Sequence, residues 1–162
     1  MSKDKALRDE LVFLLAKGNA HMSFADAVAD FPEETINSLF PNGTYTPWAL
    51  LEHIRITQKD IVDFIQNADY QEKSWPLDYW PKTKTLATKE DWENTLKHVE
   101  QDNKSLQKII NDPKNDLYTK IPHGTGQTLL REALVVADHN AYHLGEFAIM
   151  RQVMETWPKS HK

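Results

Sequence analysis

Cysteine is absent from the 162-residue chain, and that absence removes more than disulfides. Thiolate zinc sites, dithiol redox pairs and a cysteine nucleophile are excluded with it. A basic excess is missing too: 19 lysines and arginines face 24 aspartates and glutamates, for a net charge of −5. A chain of that sign has no field to hold a phosphate backbone, so no nucleic-acid partner is expected. Long apolar runs are also lacking. The longest one near the N-terminus runs from Leu11 to Ala16, directly behind Asp9 and Glu10. A secretory core needs about 7–15 apolar residues and a membrane helix about 20, so neither a membrane partner nor export is expected and the chain reads as cytoplasmic. Glycine is scarce, at 5. The Gly124–Gly126 pair lacks the lysine of a phosphate-binding loop and follows no strand, so it reads as a turn before a helix.

What remains is an ordinary globular composition, 40% hydrophobic and 27% charged, with seven histidines. The length fits one domain over 1–162, large enough to bury a single core. With thiolates gone, imidazole is where chemistry is to be sought.

Four long helical segments have recognisable ends. The first runs from about Asp4 to Lys17, with Leu7, Leu11, Leu14 and Leu15 on one stripe, and stops at Gly18–Asn19. Ser23 caps a short turn, FADAVADF, closed by Phe31–Pro32. The second starts at Thr46 with Pro47 in the first helical position, where a missing N–H costs nothing, and continues to about Gln66. The third begins at Thr88, with Asp91 three residues on as a weak capping box, and stops before Pro113. The fourth, about Thr128 to Met154, is so largely apolar that it is expected to be the most buried. No strand pattern of useful length appears, so the fold class is all-α, a four-helix bundle.

The connections, roughly Gly18 to Thr46, Asn67 to Ala87 and Pro113 to Gln127, exceed the usual 2–8 residues or so. Long links permit crossovers and commonly roof a site at one end of a bundle. The second link, with Tyr70, Trp75, Tyr79 and Trp80, carries too many aromatics for a solvated loop. It either packs over the bundle as structure or walls a cleft.

The fourth helix contains VADHNAYHLGEF. His139 and His143 are four apart, so their rings share a face and can reach one ion. Chance alone gives roughly 0.3 such pairs in a chain this rich in histidine, so the context has to carry the reading. Both rings lie within an apolar helix, in phase with Val136 and Met150, where an unpaired imidazole is awkward to satisfy. A metalloprotease is excluded, because Asn140 stands where the glutamate base of HExxH belongs. His53, in phase with Ile54 and Ile61 on the second helix, is the best third ligand. The alternative is three separately satisfied core histidines. His21 and His123 are loop or capping residues that can approach the mouth of a site; His98 reads as solvated and His161 lies in the tail.

At this point the chain resembles the DinB-like (DinB/YfiT) superfamily of metalloenzyme-type proteins. One histidine early in the second helix and a distant H-x-x-x-H in a long last helix carry the resemblance. AHMSFADAV, YTPWALLEHIRITQKDIVDF, SWPLDYWP and IPHGTGQTLLREALVVADHNAYHLG extend it over nearly the whole chain. The resemblance implies a four-helix bundle with a long crossover, often a homodimer, and a divalent metal, zinc or nickel, held by His53, His139 and His143. It also implies enzymes that transfer low-molecular-weight thiols, and a few hydrolases or isomerases. Many members read HHRGQ where this chain has Tyr142, His143, Leu144, Gly145 and Glu146, so the basic side chain is replaced by Leu144. Glu146, on the face of His143, is expected as a proton acceptor, a hydrogen-bond partner of a ligand, or a fourth ligand; Asp138, Asn140 and the backbone are other partners for the outer N–H groups.

Two functions follow as expectations. One is an enzyme in which the metal activates water or a thiol cosubstrate toward a small molecule; a chain without cysteine must receive its sulfur from a partner. The other is a metal-stabilised bundle that binds a ligand or partner without turnover.

Overall fold

The computed structural model describes residues 2–82 and 86–158. Its helices are α1 (Lys3–Lys17), α2 (Phe24–Val28), α3 (Pro47–Gln66), α4 (Lys89–Asn111) and α5 (Leu129–Val153), with a single 3-10 turn at Glu33–Thr35. Among the described residues there is no strand, only an isolated bridge between Lys120 and Thr128. None of the helices is long and apolar enough to cross a membrane.

Local chemistry sets the helix ends. Ser2, Ser23, Thr46, Thr88 and Thr128 each accept a hydrogen bond from a first-turn backbone N–H, and Ser23–Asp26 and Thr88–Asp91 form full capping boxes. At the other end of α1, Gly18 takes φ 70° and returns its N–H to the Leu14 carbonyl. A Cβ there would lie 2.5 Å from the His21 ring, so both conformation and space require glycine.

The four long helices form a bundle in which α3 and α1 each pack against both α4 and α5. The α1/α3 and α4/α5 pairs are therefore the diagonals. The first and third links join diagonal helices and must cross the bundle end, which accounts for their length; the second joins neighbours and is free to serve another purpose.

The core divides into two clusters. One gathers Val28, Phe31 and Ile36 with Leu50, Leu51 and Ile54 of α3, Trp92 and Val99 of α4, and Leu144, Phe147 and Met150 of α5. The other joins Leu11, Ile61, Val62, Leu106, Ile110, Leu129, Ala133 and Val136. A polar knot ties three helices across the bundle: buried Gln58 donates to the Val99 carbonyl at 2.7 Å and accepts from the Asn140 amide at 3.0 Å. The expectation that the last helix is the most buried is corrected. Leu134, Tyr142, Ile149 and Val153 of α5 are exposed, and α3 buries the larger share of its length. An all-round apolar sequence hides which face stays open, because the hydrophobic pattern no longer points anywhere.

Candidate metal centre

His53 projects from α3 and His139 and His143 from α5, at the seam between these neighbouring helices. On α5 the two histidines fall between Val136 of the second cluster and Phe147 of the first. His53 and His143 are buried, 2% and 8% exposed, and His139 is partly open. The spacing within α5 stacks the two rings one turn apart, and the packing of α3 brings the third ring to the same point. His139 Nε2 lies 3.1 Å from His53 Nε2 and 3.1 Å from His143 Nε2.

Proton assignments follow from the outer nitrogens. His53 Nδ1 is 2.7 Å from the Tyr79 carbonyl oxygen, and His143 Nδ1 is 2.6 Å from Glu146 Oε2. Carbonyls and carboxylates only accept, so both Nδ1 atoms carry a proton, and in its neutral form, the one that ligates a metal, each ring presents a bare Nε2 lone pair inward. Both lone pairs face the same His139 Nε2, which can offer one N–H at most. One of the two contacts is then lone pair against lone pair. A divalent cation removes that conflict, and tetrahedral zinc–nitrogen bonds of about 2.0–2.1 Å would set ligand nitrogens about 3.3 Å apart. The three imidazoles fit a metal ion, and a set of neutral nitrogens suits zinc and nickel alike.

Burial pushes His139 down to about 3, with the neighbouring His143 and His53 adding to the effect and contact with Asn140 opposing it. Burial also lowers His53, against the pull of the Tyr79 carbonyl and Glu146. An imidazole that resists protonation in the fold but not in the unfolded chain binds fewer protons when native. Stability of the metal-free protein is therefore full above the unfolded value of about 6.5 and is lost progressively as pH falls toward about 3. Thermal unfolding of chelator-treated protein across that range checks this. The slope should flatten in His139→Gln, and a wild-type profile flat from pH 7 to 4 would contradict it.

The second link forms a strap over the site. Trp80 stacks on His53, rings parallel within 2° at 4.1 Å, and Tyr45 packs against Trp80. Trp75, 68% exposed, presents its edge to His53, and Tyr142, 65% exposed, stands edge-on to His143. The strap thus both packs as structure and walls the site. Tyr45 and Tyr79 are pushed up, chiefly by burial and then by hydrogen bonds to Glu146 and Asp60 respectively, and both stay protonated at neutral pH.

The remaining histidines separate cleanly. His123 bonds the Phe64 carbonyl near the end of α3, a capping contact. His21 bonds the Met22 carbonyl and lines a groove of about 1060 Å³ between α1, α2, α4 and α5, which none of the three clustered histidines lines. Neither approaches the triad as a mouth residue. His98 is exposed, and His161 lies outside the described residues. Of the outer partners considered, Glu146 and the backbone serve His143 and His53; Asp138 is exposed, and Asn140 contacts His139 while its Nδ2 donates to Gln58. Leu144 is buried in the core beside Phe147 and puts no charge at the site. Asp60 went unnoticed in the sequence, although it lies two turns beyond His53 on the same helical face, where a carboxylate is conspicuous.

A family model described as the DinB superfamily matches residues 19–147, which include all three histidines and the strap. No curated protein and no solved structure matches the chain.

Proposed function

The chain belongs to the DinB superfamily, and from that premise we propose that it is a metal-dependent enzyme acting on a small molecule. The observation that supports this best is the convergence of three Nε2 atoms, with the outer nitrogens of two of the rings, His53 and His143, already committed to acceptors. In this reading His53, His139 and His143 hold one divalent ion, zinc or nickel. When bound, the ion supplies Lewis acidity, lowering the pKa of water or of a low-molecular-weight thiol so that either serves as nucleophile. The reaction is hydrolysis or thiol transfer, and in the second case the sulfur comes from the cosubstrate.

The chain's own residues have distinct duties. The Tyr79 carbonyl and Glu146 keep the His53 and His143 rings turned with Nε2 inward. Glu146 is also the carboxylate assigned to take a proton released from the nucleophile, and Tyr45 donates to it. Trp75 beside His53 and Tyr142 beside His143 put two exposed aromatic rings next to the triad, and Leu144 supplies no counter-charge. This combination favours a substrate with a flat apolar portion over an anionic one. The exposed α5 stripe of Leu134, Tyr142, Ile149 and Val153 supports a homodimer in the same reading.

A second reading keeps the metal without turnover, because the triad ties α3 to α5 and would stabilise the bundle by itself. Protein loaded with zinc or nickel, assayed against thiols paired with aromatic electrophiles and against esters and amides, separates the two. The enzyme reading expects metal-dependent turnover with at least one pair. Metal-loaded protein that is inert across the panel leaves the structural reading standing.

A further inference from the structure

Asp60 is a buried carboxylate, 6% exposed, on the face of α3 that carries His53. No lysine or arginine pairs with it among the described residues. Two phenols hold it instead: Tyr70 donates to its oxygens at 3.0 and 3.1 Å, and Tyr79 donates to Oδ2 at 2.7 Å. Burying an ion without a counter-ion is costly, and charge-assisted O–H···O⁻ bonds are the compensation available here. Both phenols come from the strap, and one of them belongs to the residue whose carbonyl accepts from His53.

Tyr79 therefore spans α3 lengthwise. Its phenol is fixed at Asp60 and its carbonyl is fixed at His53 Nδ1, about two helical turns apart along the helix. Trp80, the next residue, stacks on the His53 ring. The strap makes three contacts with one ligand ring, the third from Trp75, and its anchor on α3 is Asp60.

We propose that Asp60 is a positioning residue of the histidine triad, acting through Tyr79 to fix the His53 ring and so to set the affinity for a divalent ion. The inference rests on the metal reading above. Losing an outer partner of a ligand histidine costs roughly 10–100-fold in metal affinity, and Asp60 acts one step further out, so the lower end applies.

The test is a Co²⁺ titration of the full chain, followed by calorimetry and by the visible ligand-field bands of the bound ion. Wild type is compared with Asp60→Asn, Tyr79→Phe and Tyr70→Phe, each checked for folding by thermal unfolding. Asp60→Asn and Tyr79→Phe should bind Co²⁺ about tenfold more weakly with shifted bands. Tyr70→Phe, which removes the other phenol from Asp60 and leaves the Tyr79–Asp60 bond in place, should stay within about twofold. Folded Asp60→Asn and Tyr79→Phe with wild-type affinity and spectrum overturn the proposal, as does an equal loss in Tyr70→Phe and Tyr79→Phe. If Asp60→Asn does not fold, Tyr79→Phe decides alone, since it keeps both ring and carbonyl. Wild type that takes up no Co²⁺ overturns the metal reading itself, and this inference with it.

Discussion

Replacing His139 by alanine removes divalent metal binding and leaves the bundle folded. His139 is the centre of the triad: its Nε2 meets both other Nε2 atoms, so its loss reduces the site to His53 and His143 alone. Two imidazoles do not complete a zinc or nickel site, and the affinity loss should exceed the roughly 100-fold attached to outer partners. The fold should survive, because His139 is partly exposed and is not part of either apolar cluster. The stability effect should change sign with the metal. Without metal, deleting a desolvated imidazole from a crowded triad relieves strain, so metal-free His139→Ala should melt at or above wild type at pH 5. With metal, wild type gains stability by ligand linkage and the variant gains none. Elemental analysis of purified protein and melting curves with added Zn²⁺ or Ni²⁺ measure both halves. Stoichiometric metal retained by the variant would show that the three rings are not the ligands.

The parts of this molecule that were legible in the sequence are those governed by neighbours along the chain. The caps at Ser23, Thr46, Thr88 and Thr128, the stop at Gly18 and the proline at the start of α3 are local hydrogen-bonding chemistry, and each end of the four long helices falls within a residue or two of its signal, whereas α2 stops at Val28, short of the Phe31–Pro32 closure. The pairing of His139 with His143 is local too, fixed by helical periodicity. His53 needed a different kind of information, its register on the inward stripe of α3. What could not be read is where segments distant in the chain meet. Nothing in QEKSWPLDYWPK says that the Tyr79 carbonyl, rather than a side chain, will accept from His53. Glu146 illustrates the same limit: spacing put it on the face of His143 but did not say which nitrogen it would meet, and the contact with Nδ1 places it behind the ring. The open face of α5 was hidden for the opposite reason, since apolar residues on every side erase the directional signal.

Arg151→Met should cost about 3–5 kcal/mol of stability, the largest loss expected from a single change outside the triad. Arg151 is fully buried near the end of α5. Its Nη1 donates to the Ala27 and Ala29 carbonyls at 2.9 and 2.7 Å, and its Nη2 to the Thr156 carbonyl at 2.9 Å. The guanidinium also lies 4.9 Å from the Phe31 ring and 4.6 Å from the Trp157 ring. These bonds satisfy carbonyls at the end of α2 and in the tail after α5, so one side chain joins the first crossover to the last helix. Methionine fills most of the volume but leaves these three carbonyls, and that of Asp30 at 3.5 Å from Nη2, without that donor, at about 1–3 kcal/mol for each one that stays dry. Against this stands the relief of no longer burying a charge that has no carboxylate bonded to it. Arg8 makes a useful contrast: it too caps carbonyls, those of Ile110, Asp112 and Asn115, but it also pairs with half-exposed Asp4. Arg8→Met opens its acceptors to water at the bundle end and should cost less. For a chain of this size about 2–4 °C accompanies each kcal/mol, so Arg151→Met should melt roughly 10 °C below wild type and Arg8→Met clearly above that. Metal uptake by Arg151→Met at low temperature should be unchanged, because its contacts lie two turns beyond His143 and touch neither the strap nor α3. A melting point within a degree or two of wild type would mean that desolvation of the charge cancels its hydrogen bonds. The join between crossover and bundle would then rest on Phe31 and its neighbours in the apolar cluster.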